Sequence, residues 1–103
     1  VRHLPEMAEE AVAMVHDAIQ AFVAQDEKEA QEIIKRDDRV DELFNRVKNE
    51  VIELLKQTGD ISDQSIDFLM IAKYVERIGD HAVNICEWTE FGKTGKIKDV
   101  RIL

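Results

Sequence analysis

Residues 30–54 read AQEIIKRDDRVDELFNRVKNEVIEL. Ala30, Ile33, Asp37, Val40, Phe44, Val47, Val51 and Leu54 recur there at alternating spacings of three and four. That period places them along one stripe of an α-helix, with charged side chains filling the remaining positions. Asp26 precedes the stripe and Glu29 follows it three residues later, the pattern of a capping box that starts a helix. Thr58-Gly59 closes it, with Gly59 placed for a left-handed C-cap. The spacing therefore predicts a helix over 27–57, and the fold builds outward from it.

Upstream, Pro5 suits a first helical turn, where its missing N–H is harmless. Met7, Ala11, Met14, Ala18 and Ala21 repeat the same spacing, and a second stripe of Ala8, Val12, Val15, Ile19 and Phe22 runs beside them. This is a helix over about 4–25 with an unusually wide apolar face. Downstream, Asp60 or Ser62 caps a third helix over about 61–91. It carries two adjacent seams: Leu69, Ala72, Glu76, Gly79, Val83 and Cys86, and Phe68, Ile71, Val75, Ile78, Ala82 and Ile85. Trp88 and Phe91 close it, Gly92-Lys-Thr-Gly95 breaks it, and a short polar tail fills 92–103. Three long helices with short connections imply an all-α, antiparallel three-helix bundle, up-down-up, in a single domain over 1–103.

Composition agrees with that architecture. The chain has 103 residues, 45% hydrophobic and 35% charged, with one Pro and four Gly, which leaves little material for the turns of a sandwich or barrel. A net charge of −8 argues against nucleic acid or an anionic bilayer as a direct partner. No apolar run is long enough to span a membrane. The single cysteine, Cys86, fits a reducing compartment, so an intracellular protein is expected. Cys86 itself reads as small core packing.

Two seam positions carry the wrong residue for a plain bundle. Asp37 interrupts the second helix and Glu76 the third, and each has another acid one turn on: Asp41 and Asp80. The pairs lie about 18 residues before and about 17 after the intervening turn, which at roughly 1.5 Å per residue places them at one level. Four converging carboxylates repel and are costly to desolvate, and a multivalent cation removes that cost. Oxygen ligands suit Mg, Ca, Mn or Fe. Gly79 sits between the two acids of the third helix, at a helical position where Gly is unfavourable by about 1 kcal/mol relative to Ala. A close approach by a neighbouring helix or ion accounts for it. The plainer alternative is a bundle edge on which these acids pair with Arg36, Arg39, Lys73 or Arg77. His16 and Asp17 fall near the same level as third-helix ligand candidates or as a solvated face. His81 reads as a surface or inter-subunit residue, and Asn84 as able to orient a carboxylate.

The segments RDDRVDELF (36–44) and YVERIGDHAVNI (74–85) resemble the two signatures of the PhoU family, and the similarity runs from about Leu4 to Trp88. The resemblance implies a three-helix bundle with a D/E-x-x-x-D motif on two helices, and metal ligation by Asp37, Asp41, Glu76 and Asp80. It implies a divalent or trivalent ion (Fe, Mn, Mg or Zn) and no enzymatic activity. It further implies a cytoplasmic negative regulator, peripheral to the inner membrane face through protein partners. That regulator links the phosphate ABC transporter to the sensor histidine kinase of the phosphate regulon. A homodimer is expected from the residues themselves, because the first and third helices each carry two adjacent apolar seams, more than one small bundle covers. Family members usually carry two tandem bundles, and the ending here resembles the second, so an excised C-terminal half is expected, with a stand-alone single repeat as the alternative. Two other functions remain: a helical docking domain without metal, and a ferritin-like di-metal enzyme. The second needs Glu-x-x-His pairs, and no Glu in this chain has a His three residues later. No nucleophile–base pair appears, and the Gly92–Gly95 segment lacks the strand and helix of a phosphate loop.

Overall fold

A computed structural model describes residues 2–59 and 63–94. Four helical segments follow in order: α1 (Leu4–Ala24), α2 (Glu27–Lys35), α3 (Asp37–Thr58) and α4 (Asp63–Thr94). Only Arg36 separates α2 from α3, and its own backbone is right-handed helical. The two therefore form one interrupted arm of a three-helix bundle, and no strand occurs among the described residues. The bundle is 53 Å long, close to the length of the 32-residue α4 at about 1.5 Å per residue.

Local chemistry sets the helix ends. Pro5 lies in the first turn of α1. The Asp26 carboxylate accepts the Glu29 N–H at 3.0 Å, the capping bond its spacing called for. Gly59 takes φ 72° and donates its N–H to the Leu55 carbonyl, closing α3 as a left-handed C-cap. The interruption at Arg36 departs from the single helix predicted over 27–57. There Arg36 N–H turns to the Ile33 carbonyl, three residues back, and Arg39 N–H does the same to Arg36. The third helix also passes through Gly92, expected to break it, and continues to Thr94. The cap at Asp60 or Ser62 and the tail from Gly95 onward lie outside the described residues.

Partners across the bundle fix the direction of the arms. His3 meets Glu50, and Asp17 meets Arg36. As the α1 number rises the α3 number falls, so these two run antiparallel. Lys73 lies over Phe44 and Gly79 faces Asp37 and Val40, so α3 and α4 are antiparallel as well. It follows that α1 and α4 are parallel neighbours.

The core is built on Met7, Ala11, Met14, Ala18 and Ala21 of α1, all buried, which is the predicted central stripe. Opposite stand Ile33, Val40, Leu43, Val47 and Val51. Each such side chain removed from water stabilises the fold by about 1.5–3 kcal/mol. From α4 the core takes Ala72, Val75, Gly79, Ala82 and Cys86, drawing alternately on both predicted seams. Many of the α1 and α4 core residues are Ala or Gly, and α1 against α4 is the most extensive interhelical contact. Small residues let two backbones approach, and the larger apolar side chains of these helices are then left beside the contact. Val12, Ile19 and Phe22 of α1 are 49–58% exposed, and Ile71, Tyr74, Ile78 and Trp88 of α4 are 36–59% exposed.

These exposed side chains share one side of the bundle. On α1 the opposite flank, Glu6, Glu10 and Asp17, bonds to Arg39 and Arg36 of the second arm. On α4 the flank that carries Lys73 faces Phe44 of α3. The remaining flanks of α1 and α4 therefore meet on the face away from α2 and α3, and both are apolar.

Glu50 ties the start of α1 to α3. Its carboxylate accepts the backbone N–H groups of Arg2 and His3 at 3.1 and 3.0 Å, and His3 Nδ1 lies 3.1 Å away. Burial pushes the Glu50 acid upward, but these bonds outweigh it and hold it below the usual carboxylate range. A depressed carboxylate contributes stability above its unfolded pKa and loses it as pH falls through the folded value. Glu50→Gln is therefore expected to cost about 1–2 kcal/mol near neutral pH and almost nothing at strongly acid pH. Urea unfolding of both chains across that pH range measures the difference, and a pH-independent cost would refute the assignment.

Candidate functional site

Asp37 and Asp38 open α3, where the positive end of the helix dipole favours carboxylates. A Cβ built on Gly79 of α4 would stand 3.3 Å from Asp37 Oδ1 and 3.5 Å from Val40 Cγ1. The α4 backbone thus comes close to α3 beside the first acid pair, as the use of glycine there suggested. Gly79 lies between Glu76 and Asp80 in sequence, so the two acid pairs do share one level of the bundle.

The four side chains differ in setting. Asp37 and Asp80 are half-buried and Asp41 is exposed. Spacing puts Glu76 on the core seam between Ala72 and Gly79, but at that turn the core takes Val75 of the neighbouring seam instead. Glu76 stands one residue's rotation, about 100° around α4, from Val75, on the flank that carries Lys73. Its side chain is 26% exposed, and Lys73 Nζ lies 3.3 Å from Oε1. The same ammonium sits 4.9 Å from the centre of the Phe44 ring, a cation–π contact. Among the described residues no three His, Cys, Asp or Glu side chains are gathered closely enough to hold a metal ion. The donor set is chemically suited to a hard cation. The close approach at Gly79 brings its two helices together, and the side chains must turn inward from this arrangement to share one ion.

Two of the cations offered as partners for these acids reach instead to α1. Arg36 Nε donates to Glu10 Oε1 at 3.0 Å and Nη1 to Asp17 Oδ2 at 2.7 Å. Arg39 reaches Glu6 and Glu42. Lys73 does pair with Glu76. Asp17 is thereby engaged by Arg36. The bond from Arg36, with a smaller part from His16, holds its carboxyl below the usual range, and Asp17 in turn raises Arg36. His16 points out beside Asp17, its side chain 68% exposed. His81 and Asn84 are half-buried on α4. Burial, reinforced by Glu90, Glu29 and Glu87, pushes the Cys86 thiol up to about 12, which makes it a packing residue and not a nucleophile. The Arg36 bridge escaped the sequence reading. Its one signal was the seven-residue spacing of Glu10 and Asp17, which puts both on a single flank of α1.

Gly79 offers a direct check on this geometry. In Gly79→Ala the gain of about 1 kcal/mol in helix propensity opposes the tight contact with Asp37, whose carboxylate end can give by a few tenths of an ångström. Its stability is expected within about 1 kcal/mol of the native chain. Gly79→Leu forces apart two packed backbones and is expected to lose about 2 kcal/mol by overpacking. Chemical denaturation distinguishes them, and equal stability of the Leu variant would contradict the close approach.

The family model described as PhoU domain matches residues 4–89. A phosphate-specific transport system accessory protein PhoU homolog of Clostridium acetobutylicum is 36% identical over 97% of the chain. PhoU homolog 1 of Thermotoga maritima is 32% identical over 93%, and a homolog of Zymomonas mobilis 37% over 90%. The chain spans about half the length of these relatives: 46%, 41% and 39% respectively. No solved structure matches it. With the helical bundle, the paired acids on α3 and α4 and the domain match over 4–89, this chain belongs to the PhoU family.

Proposed function

We propose that this chain is a metal-binding regulatory module of phosphate homeostasis. In this reading it is non-enzymatic and cytoplasmic, and it reaches the inner face of the membrane only through protein partners. It acts as a negative regulator that couples a phosphate ABC transporter to a phosphate-sensing histidine kinase, and it works as a homodimer. Its relatives are named as accessory proteins of phosphate-specific transport, which supports the transporter part. The observation that carries the metal part is the approach of Gly79 to Asp37, which sets the Asp37/Asp41 and Glu76/Asp80 pairs at one level on facing helices. An Fe, Mn, Mg or Zn ion bound there would neutralise the gathered carboxylates and lock α3 to α4.

A second reading, a helical docking domain without metal, is favoured by the Lys73–Glu76 pair and by the apolar outer face of α1 and α4. Elemental analysis after purification without chelator separates the two. The metal reading expects a near-stoichiometric ion. A protein that carries none and takes up no added Mn or Fe belongs to the second reading.

A further inference from the structure

Arg36 stands at the interruption between α2 and α3, yet residues 30–42 contain neither Pro nor Gly. A helix interrupted without either takes its cause from a local change in its hydrogen-bond ladder or from a contact made by a side chain at the break. One lies across the bundle on α1, where a single guanidinium spans Glu10 and Asp17 at 3.0 and 2.7 Å. The three side chains are 29–39% exposed, so water screens these pairs only in part. The guanidinium fork is planar and directional, and two bonds to one helix fix where its backbone stands. The next residue is Asp37, whose Oδ1 faces Gly79 of α4.

We infer that Arg36 is a positioning residue of the candidate site: the Glu10–Arg36–Asp17 clamp pins the helix interruption to α1 and thereby sets Asp37 against Gly79. The inference rests on the metal reading for its functional meaning, while the clamp can be tested without it. Charge and position make opposite demands on Arg36. A guanidinium near carboxylates opposes a cation by charge alone, so its removal would then raise metal affinity. If position decides, removal lowers it.

The test uses the whole chain as Arg36→Gln, Arg36→Lys and the double variant Glu10→Gln/Asp17→Asn. Manganese affinity is read by calorimetry and amide hydrogen exchange is read without metal. Arg36→Gln is expected to weaken manganese binding about tenfold, the low end for loss of a supporting partner. The amides of residues 37–40 should exchange about tenfold faster, while those of the α4 core stay unchanged. The double variant keeps the arginine and removes its partners, and it should behave alike. Arg36→Lys should recover part of both effects. Unchanged or tighter manganese binding in Arg36→Gln overturns the positioning role. If the native chain takes no manganese, the metal reading fails by itself. Exchange at 37–40 then decides the clamp, and an unchanged rate in Arg36→Gln rejects it.

Discussion

Replacing Asp37 by Asn and Glu76 by Gln in one chain is expected to abolish metal-induced stabilisation while leaving the metal-free protein as stable as the native one. An ion that binds only the folded state stabilises it by mass action, about 2.7 kcal/mol at a hundred times its dissociation constant. For a domain of this size each kcal/mol moves the melting midpoint by about 4–8 °C, so saturating Mn or Fe should raise the native midpoint by roughly 10–20 °C. Both substitutions keep the side-chain shape and remove charge. Without metal the loss of the Lys73–Glu76 pair costs little, because an exposed ion pair is worth about 0–1 kcal/mol. Relief of repulsion among the remaining acids works in the opposite direction. Melts with Mn, Fe and Mg against an EDTA control decide the matter. Native midpoints that coincide under all four conditions would remove the site. A double variant destabilised equally with and without metal would assign these acids to structural pairs instead.

The parts of this fold that were legible in the sequence are those set by local chemistry. The Asp26 cap, the Gly59 C-cap and the α1 core stripe each depend on residues within a turn or two of one another, and each appears where spacing put it. Gly79 was legible for a related reason: a glycine inside a helix is unfavourable, so its presence pointed to a close neighbour, which is Asp37. Long-range partners were not legible. Arg36 interrupts the second arm while bonded to Glu10 and Asp17 of α1, and no local pattern encodes that pairing. Glu76 misled for a different reason. Helix α4 offered two adjacent apolar seams, and only packing against α1 and α3 chose the alternating set that leaves Glu76 on a flank. The choice between seams also explains the surplus of apolar surface: what the core does not use remains on α1 and α4.

That surplus leads to self-association as the second large effect. Val12, Ile19 and Phe22 flank the α1–α4 contact on one side, and Ile71, Tyr74, Ile78 and Trp88 on the other. Contiguous apolar side chains on a protein surface commonly mark an interface, and a two-fold dimer is the commonest way for a single chain to cover its own. The chain is expected to dimerise at micromolar concentration through this face. Each copy carries a net charge of −8, so the rims repel at low ionic strength and the dimer should tighten as salt screens them over about 8–10 Å. Ile78→Asp adds a charge to the middle of the face, and Val12→Asp adds one on α1. Burying an unpaired carboxylate costs at least about 3 kcal/mol, so either change should raise the dissociation constant by about a hundredfold or more. Val12 is more than half exposed in the monomer, so Val12→Asp should hardly change its melting point, whereas Ile78, 36% exposed, should cost the monomer about 1–2 kcal/mol as Asp. Tyr74→Phe, which keeps the apolar surface, should leave association intact. Sedimentation of the native chain at low and high salt is the measurement. A monomer at both, up to tens of micromolar, would show that these side chains stay exposed to water, and the dimer reading would fall with it.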